Sequence, residues 1–247
     1  MLHFLATALA VASTPTTNTR PTLNNKPFDS AAFDKVVMNT YGRFPIAVAR
    51  GEKCHLTDTD GKTYLDFAAG ISTCTLGHAN PRLADAVSRQ MKTVTHVSNL
   101  YYIPEQGKLA ERLIASGCLD RAFFCNSGAE ANEAAIKLAR RHAVQEQGIA
   151  KPVIITAKNS FHGRTLGALS ATGQPKYQEG FGALLGGFEH VEYNNVDALR
   201  RLARKLTPPR WRPSLGPKPR LAAIMLEPLQ GEGGIVPGDS DFCAAAR

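Results

Sequence analysis

Motifs that bind metals or form disulfide frameworks are missing from this sequence of 247 residues. None of its five cysteines forms a CxxC pair, and its seven histidines show no HExxH or other paired spacing. The cysteines are Cys54, Cys74, Cys118, Cys125 and Cys243. Scattered thiols are typical of proteins kept reduced inside the cell, and they argue against a disulfide scaffold and a zinc site. We therefore expect no metal centre.

The two common glycine-rich nucleotide motifs are missing as well. No glycine run ends in GK[ST], and GEGGIV at residues 231–236 fails the GxGxxG spacing and opens no obvious helix. A bilayer-spanning run is also lacking, since LHFLATALAVA near the start is too short. We expect no membrane span, and any phosphate that the protein binds is not held in either standard nucleotide mode.

Acidic residues are absent from the first 28 positions, which are rich in Ala, Ser and Thr. A secretory signal would need positive charge before the apolar stretch, and there is none, although AVA-S resembles a cleavage site. A transit peptide would carry more arginine than Arg20 alone. The composition and the unpaired cysteines still favour an organellar leader over residues 1–28. We expect the mitochondrial matrix, with the cytoplasm as the alternative.

Positive charge, in contrast, is plentiful, with a net charge of +8. Much of it lies in RRLARKLTPPRWRPSLGPKPR, residues 200–220. This stretch could bind nucleic acid, or it could be a solvated helix end followed by a proline-rich surface loop. Only Trp211 is available there for base stacking, and no nucleic-acid-binding signature accompanies it, so we expect no nucleic-acid partner.

The patterns along the chain predict an α/β protein. Residues 29–42 resemble a short helix, KCHLTDTDGKTYLDF at 53–67 alternates around an Asp-Gly turn and predicts a β-hairpin, and residues 81–96 and 104–116 are amphipathic helices. PVIIT and LAAIML are short, continuously apolar runs, and a further strand is predicted at the aromatic pair before Asn126. These three runs cover residues 152–156, 221–226 and 123–124. Such runs are typical of parallel strands with helices on both faces.

The turn at residues 126–129, Asn-Ser-Gly-Ala, begins a strongly helical stretch. Ser127 can cap that helix, and Glu130 completes a capping box. Small residues before a helix also leave its first amides open to an anion, because those amides and the helix dipole converge there. From these residues alone, both a capped helix and an anion site remain open.

Several polar segments lie at or near the ends of predicted strands, where ligands gather in open α/β sheets. One offers amides to an anion, the next an aromatic face at Phe161 and a cation at Arg164, and the third a carboxylate at Glu227. The segments are NSGAEAN (126–132), NSFHGRT (159–165), EPLQGEGG (227–234) and the earlier TYGRFP (40–45). An anion cradle, a stacking surface and a guanidinium together suit pyridoxal-phosphate chemistry on an amino acid.

These segments, in this order, resemble the class III pyridoxal-phosphate-dependent aminotransferases. The motifs that carry the resemblance are TYGRFPIAVARGEKCHL, DGKTYLDFAAGI, LGHANPRL, HVSNLYY, SGAEANEAAIKLAR and SFHGRTLGALSATGQPKY. The resemblance runs from about Asn39 to Arg247 and implies fold type I, a mostly parallel sheet flanked by helices, truncated at the C-terminal side. It implies part of a small domain at 29–80 and an incomplete cofactor-binding domain at 81–247.

The resemblance also implies residue roles. Ser127, Gly128 and Ala129 would bind the phosphate of pyridoxal 5'-phosphate, and Phe161 would stack on its ring unless it is a buried core aromatic. Arg164, which out of context would pass for a surface arginine, would bind the substrate carboxylate, for which a planar guanidinium is suited.

Four further residues receive weaker or negative assignments from the resemblance. Glu227 would be a gating carboxylate, and Gln230 would belong to the same loop on the cofactor side as Glu227. Tyr41 would approach the substrate or pack on the hairpin. His162 is given no catalytic role, since in the family a lysine transfers the proton.

The family's reactive centre has no counterpart in these residues. The lysine that forms the Schiff base, and the acid that keeps the pyridine nitrogen protonated, lie in the family after the EPLQGEGG segment. We therefore expect no catalytic residue in this chain. The resemblance implies amino-acid and 2-oxo-acid substrates and a homodimer for the complete protein. The alternative is a non-catalytic cofactor-binding or subunit-pairing module.

Overall fold

The computed structural model describes residues 28–207 and 220–247, which fall into two compact units divided after Ile103. The predicted leader, apart from Phe28, and most of the predicted proline-rich loop with Trp211 lie outside the described residues. The predicted domain boundary at residue 81 stays a prediction about the complete protein.

The first unit contains a short antiparallel sheet and three helices. They are α1 (Ser30–Val36), β1 (Val48–Glu52), β2 (His55–Asp58), β3 (Thr63–Leu65), α2 (Ala69–Ser72) and α3 (Pro81–Thr93). Helix α1 begins where the Asp29 carboxylate accepts hydrogen bonds from two backbone amides. It ends at Val36, earlier than the predicted residue 42, and the next residue, the β-branched Val37, already has extended backbone.

The predicted hairpin is confirmed, with Leu56 opposite Tyr64 in an antiparallel register. Asp58 holds its turn, accepting hydrogen bonds from the amides of Asp60 at 3.0 Å and Lys62 at 2.8 Å. Strand β1 pairs with the other edge of β2. No residue between 28 and 103 is fully buried.

The second unit contains most of the helices and the parallel sheet. Its elements are α4 (Pro104–Ala115), α5 (Gly128–Gln145), β4 (Val153–Ala157), α6 (Leu166–Ala171), α7 (Pro175–Gln178), β5 (Phe188–Val191), α8 (Val196–Leu206), β6 (Leu221–Ile224), β7 (Leu229–Gln230), β8 (Val236–Pro237) and α9 (Ser240–Ala246). The strand order is β5-β4-β6, all parallel, so strand–helix alternation predicted the correct class of sheet.

Strand β4 lies at the centre of this sheet, and each of its five residues is buried. Val153 and Ile155 pack with Leu199, Leu206 and Phe242 from α8 and α9. Ile154 points the other way and packs with side chains of α5 and α6. Alternation along one strand therefore places helices on both faces of the sheet, as the apolar run predicts.

The strand predicted at Phe123 and Phe124 is wrong, because residues 121–125 form no strand. Both sides of β4 are occupied by β5 and β6, and Phe123 is largely exposed. The strand next to β4 is instead β5, whose sequence FEHV carries two polar residues and gives little apolar signal.

Candidate functional site

The N-terminus of α5 presents an open group of amides. Ser127 is the N-cap, and its Oγ accepts a hydrogen bond from the amide of Glu130 at 3.1 Å. The amides of Gly128 and Ala129 open the helix and have no acceptor within it. A Cβ placed on Gly128 would meet no atom within 4 Å, so the protein leaves room beside this residue. This turn fits a phosphate group, which such a helix start attracts.

The predicted capping box is only half correct. The Ser127 side chain caps the helix as expected. Glu130, however, accepts a hydrogen bond from the Asn126 amide at 2.6 Å, one residue before the N-cap. The Glu130 carboxylate therefore fixes the entry to the turn and leaves its opening free.

The segment 159–165 packs directly against this helix start. Asn132 Nδ2 donates a hydrogen bond to the backbone oxygen of His162 at 2.6 Å. Gly163 has a φ of 129°, and a Cβ there would come within 2.9 Å of the Ala129 Cβ. This close approach and positive φ require glycine at position 163. The structure thus brings the turn at 127–129 and the Phe161–Arg164 segment to one place.

A second contact from α5 fixes the residues that follow Arg164. Glu133 Oε1 accepts hydrogen bonds from Thr165 Oγ1 at 2.6 Å and from the Ala168 amide at 3.1 Å. The carboxylate therefore serves as a cap for α6, supplied by a neighbouring helix. It anchors the backbone next to the guanidinium.

Aromatic rings surround the Arg164 side chain. Its Cζ lies 4.4 Å from the centre of the Tyr177 ring and 5.9 Å from that of Phe161. The two rings meet edge to face with centroids 5.8 Å apart. The candidate cofactor-stacking residue and the candidate carboxylate-binding residue therefore belong to a single cluster. Phe161 is half-buried, so it is not a fully buried core aromatic.

Glu227 reaches this cluster from the end of β6. Its Oε2 accepts a hydrogen bond from the Phe161 amide at 3.0 Å, and its backbone oxygen accepts one from the Tyr193 hydroxyl at 2.7 Å. Burial raises the pKa of the Glu227 carboxyl above its usual value. The structure shows Glu227 holding the backbone of Phe161, and its gating role stays a prediction.

Gln230 has a defined contact within the second unit, whereas Tyr41 belongs to the first unit. Gln230 is buried, and its Nε2 donates a hydrogen bond to the backbone oxygen of Lys158 at 2.9 Å, tying the loop 227–234 to the end of β4. Tyr41 is an exposed residue of the first unit. Its approach to a substrate and its packing on the hairpin both stay predictions.

His162 is buried next to the site, and its Nε2 has no hydrogen-bond partner among the described residues. Burial, with a smaller contribution from His190, lowers its pKa to about 4. The imidazole is therefore neutral near pH 7.

Several residues that build the site give no sequence signal of their own. Glu133 looks like one more acidic residue in the first turns of a helix, and Tyr177 like a loop tyrosine. Tyr177 donates its hydroxyl hydrogen bond to Glu232, which also accepts from Gln174 and, at 3.4 Å, from Lys176.

The described residues contain no group of three or more His, Cys, Asp or Glu side chains placed to hold a metal ion. They also contain no helix long and apolar enough to cross a membrane.

Comparison with known proteins agrees with this geometry. The profile of the aminotransferase class-III family matches residues 36–247. The acetylornithine aminotransferase of Thermosynechococcus vestitus is 59% identical over 220 residues, covering 89% of this chain and 52% of that protein. The enzyme of the same name from a Nostoc species is 55% identical, covering 90% of this chain and 50% of its own length. The chain thus spans about half the length of these curated relatives.

Solved structures give the same fold. The ornithine aminotransferase of Toxoplasma gondii superimposes with a TM-score of 0.78 at 28% identity, over 88% of this chain and 49% of that one. The N-acetylornithine aminotransferase of Stenotrophomonas maltophilia gives 0.66 at 34% identity, over 85% and 49%. The predicted fold type I of pyridoxal-phosphate enzymes is therefore confirmed for this chain.

Proposed function

The chain belongs to the class III aminotransferases, which depend on pyridoxal 5'-phosphate, and from this membership we propose that it is the N-terminal portion of an acetylornithine aminotransferase. The complete protein would transfer the δ-amino group of N-acetylornithine to 2-oxoglutarate, giving N-acetylglutamate semialdehyde and glutamate, a step of arginine biosynthesis. Support comes from the names of the relatives at 50–59% identity.

The cofactor would be held by the residues around the start of α5. Gly128 and Ala129 offer amides, Ser127 offers its hydroxyl, and Phe161 offers a ring face. When bound, pyridoxal phosphate supplies an electron sink for the carbanion chemistry of the amino acid. The chain contributes the anion-binding amides and the flat surface, which orient the cofactor.

Arg164 would bind the α-carboxylate of the substrate through its planar fork, leaving the distal amine free to reach the cofactor. Glu227 and Tyr41 are proposed to lie near the substrate. His162 has no catalytic role in this proposal, because a neutral and fully buried imidazole is a poor proton carrier at neutral pH.

We place the catalytic lysine, and the acid that pairs with the pyridine nitrogen, outside this chain. The observation that carries the proposal is the meeting of the 127–129 turn with Phe161 and Arg164, fixed by the 2.6 Å hydrogen bond from Asn132 to His162. A homodimer is proposed for the complete protein, as is import into the mitochondrial matrix through residues 1–28. A fluorescent protein fused to that leader would test the import.

The alternatives are another substrate within the class III family and a non-catalytic role. Ornithine aminotransferase is favoured by the TM-score of 0.78 to the Toxoplasma gondii enzyme, above the 0.66 of the N-acetylornithine enzyme. Succinylornithine and 4-aminobutyrate are the other substrates that membership of the family leaves open. A non-catalytic cofactor-binding or subunit-pairing module is the alternative from a different class.

Sequencing the transcript beyond codon 247 and assaying the encoded protein tests the proposal. An open frame that supplies the lysine, and a kcat/KM for N-acetylornithine at least about tenfold above that for ornithine or 4-aminobutyrate, would support it. A stop codon at 248 with a soluble product that binds the cofactor without turnover would support the non-catalytic module.

The role of Arg164 is tested in the same assay. Arg164→Ala should lower kcat/KM for N-acetylornithine by about a hundredfold or more, since a bidentate ion pair is lost. Arg200→Ala, which removes an exposed arginine from α8, is the matched control and should leave the value unchanged. Turnover by the 247-residue chain alone that disappears with Arg164→Ala would contradict the placement of the reactive centre outside it.

A further inference from the structure

The Arg164 guanidinium is an exposed cation held against rings instead of paired with a carboxylate. No salt bridge to Arg164 occurs among the residues that the structure describes. Its nearest aromatic neighbour is Tyr177, at 4.4 Å from ring centre to Cζ, with Phe161 further away at 5.9 Å. Cations at this distance from a ring centre are attracted by the quadrupole of the ring. This arrangement leaves the N–H groups of the guanidinium available to a ligand.

The Tyr177 ring is itself held in place from the far side. Tyr177 lies on the one-turn helix α7, and its hydroxyl donates a hydrogen bond to the Glu232 carboxylate. That hydrogen bond is the largest cause lowering the pKa of the Glu232 carboxyl. Gln174 donates to the same carboxylate, so two residues of the α7 segment are bound to the loop 227–234. The hydrogen bond to Glu232 therefore restricts how far the ring can move away from Arg164.

We propose that Tyr177 is a positioning residue for Arg164, which aims the guanidinium at the carboxylate of the amino-acid substrate and is itself oriented by Glu232. The inference rests on the proposed function, because it takes Arg164 as the carboxylate-binding group. A long arginine side chain that is already ordered loses less freedom when the substrate binds. Tyr177 therefore favours substrates with a carboxylate over amines that lack one.

The test compares two amines in the complete, cofactor-loaded protein. N-acetylputrescine is N-acetylornithine without its carboxylate, so it keeps the acetyl group and the distal amine. Tyr177→Leu should raise KM for N-acetylornithine about three- to thirtyfold, the range to which cation–π attraction corresponds. It should change kcat little, and it should leave kcat/KM for N-acetylputrescine unchanged. Tyr177→Phe keeps the ring and loses the hydroxyl that is bonded to Glu232, so its KM should lie between those of the wild type and Tyr177→Leu.

A double-substitution experiment separates positioning from a general structural effect. In the Arg164→Ala background, Tyr177→Leu should have no further effect on N-acetylornithine, since the group that it positions is gone. Tyr64→Leu is the matched control, because Tyr64 also packs against a cation, Lys62 at 4.9 Å, and bonds a carboxylate, Asp58 at 2.8 Å. Tyr64→Leu should leave the preference for the carboxylate substrate unchanged.

A crystal structure of the Tyr177→Leu protein gives a readout that needs no activity. The Arg164 side chain should occupy more than one rotamer there and one rotamer in the wild type. An ordered guanidinium in its original place, or an equal loss on both amines, would overturn the inference. Failure of the wild type to convert N-acetylornithine would instead refute the proposed function, and the rotamers of Arg164 would still decide the role of Tyr177.

Discussion

At the scale of single residues, His162 is the clearest case of a titratable side chain that lies beside the site and has no proposed catalytic role. Its imidazole is buried, and its pKa of about 4 lies below the ordinary value of 6.5. As pH falls below 6.5, His162 takes up a proton in the unfolded chain but stays neutral in the folded protein, so folding stability falls. The stability that depends on a neutral His162 is thus present above pH 6.5 and lost towards pH 4.

We expect His162→Leu to flatten this pH dependence. Between pH 7.5 and pH 4.5, the free energy of unfolding of the wild type should fall by about 2.5 kcal/mol more than that of the variant. Urea unfolding of the complete protein at both pH values measures this. His142→Leu, at an exposed histidine of α5, serves as the control and should keep the wild-type slope. An unchanged slope in His162→Leu would contradict the burial argument.

Glu227 offers a second residue-scale prediction. Its carboxylate accepts the hydrogen bond from the Phe161 amide at 3.0 Å. Glu227→Gln keeps an acceptor oxygen and removes a charge that burial disfavours, so it should change stability little. Glu227→Ala leaves a partly buried amide unpaired and should be less stable than Glu227→Gln by about 1–3 kcal/mol.

The thermal midpoints of the two Glu227 variants measure this difference. Equal midpoints would mean that the carboxylate does not anchor Phe161. If the anchor holds, Glu227→Ala should also weaken cofactor binding more than Glu227→Gln, because Phe161, which we propose stacks on the cofactor, becomes less ordered.

At the scale of elements, the start of α5 allows helix stability and anion binding to be separated. A Cβ at Gly128 meets no atom within 4 Å, so larger residues fit there without strain. Gly128→Asp places a carboxylate beside the first amides, which should stabilise the helix by about 0.3–1 kcal/mol through its dipole. The same carboxylate would occupy the proposed phosphate position and repel the phosphate group.

We therefore expect Gly128→Asp to lower the affinity for pyridoxal phosphate at least about tenfold without lowering the melting temperature of the apoprotein. Gly128→Ala adds bulk without charge and is the matched control. Spectroscopic titration of the complete protein with the cofactor gives both affinities. Unchanged cofactor affinity in Gly128→Asp would mean that these amides only form the start of the helix and bind no phosphate.

Elements with strong local signals could be predicted from the sequence. The apolar runs gave β4 and β6, the Asp-Gly turn gave the hairpin, and Asn80-Pro81 gave the start of α3. Strand β5 was missed because its sequence FEHV has only two apolar residues and is a strand through its pairing with β4. Phe123 and Phe124 have the composition of a strand and no partner to pair with.

The candidate site also contains some residues that the sequence indicates and others that it does not. Ser127, Gly128, Phe161 and Arg164 lie in contiguous motifs, so their segments could be found from the chain alone. The groups that hold those segments together come from distant parts of the sequence. Glu133 reaches Thr165 across 32 positions, and Glu232 reaches Tyr177 across 55. No local pattern encodes such a contact, because its two partners are brought together only by the tertiary fold.

At the scale of the whole molecule, the two units differ in how much apolar surface they bury. All the buried hydrophobic side chains of the described residues lie at or beyond Ile136. In the first unit Phe44, Phe67 and Leu100 are 86%, 92% and 85% exposed. Large apolar side chains left exposed in this way favour contact with further protein surface or aggregation. We therefore infer that the first unit depends on further protein surface, from the rest of the complete protein or from a second subunit.

The 247-residue chain expressed alone should consequently be poorly soluble, and under the proposed function it should show no transaminase turnover. Strand β6 adds to this tendency, because it pairs only with β4 among the described strands and leaves a sheet edge open. Brief proteolysis should cut within residues 28–103 before it cuts α5 or β4, since the buried core of the second unit resists local opening. Mass spectrometry of the fragments, with the complete protein digested in parallel as the control, measures the order of cleavage. A soluble monomer with a sharp cooperative melt and a resistant first unit would contradict the argument, because that unit would then be stable without any partner surface.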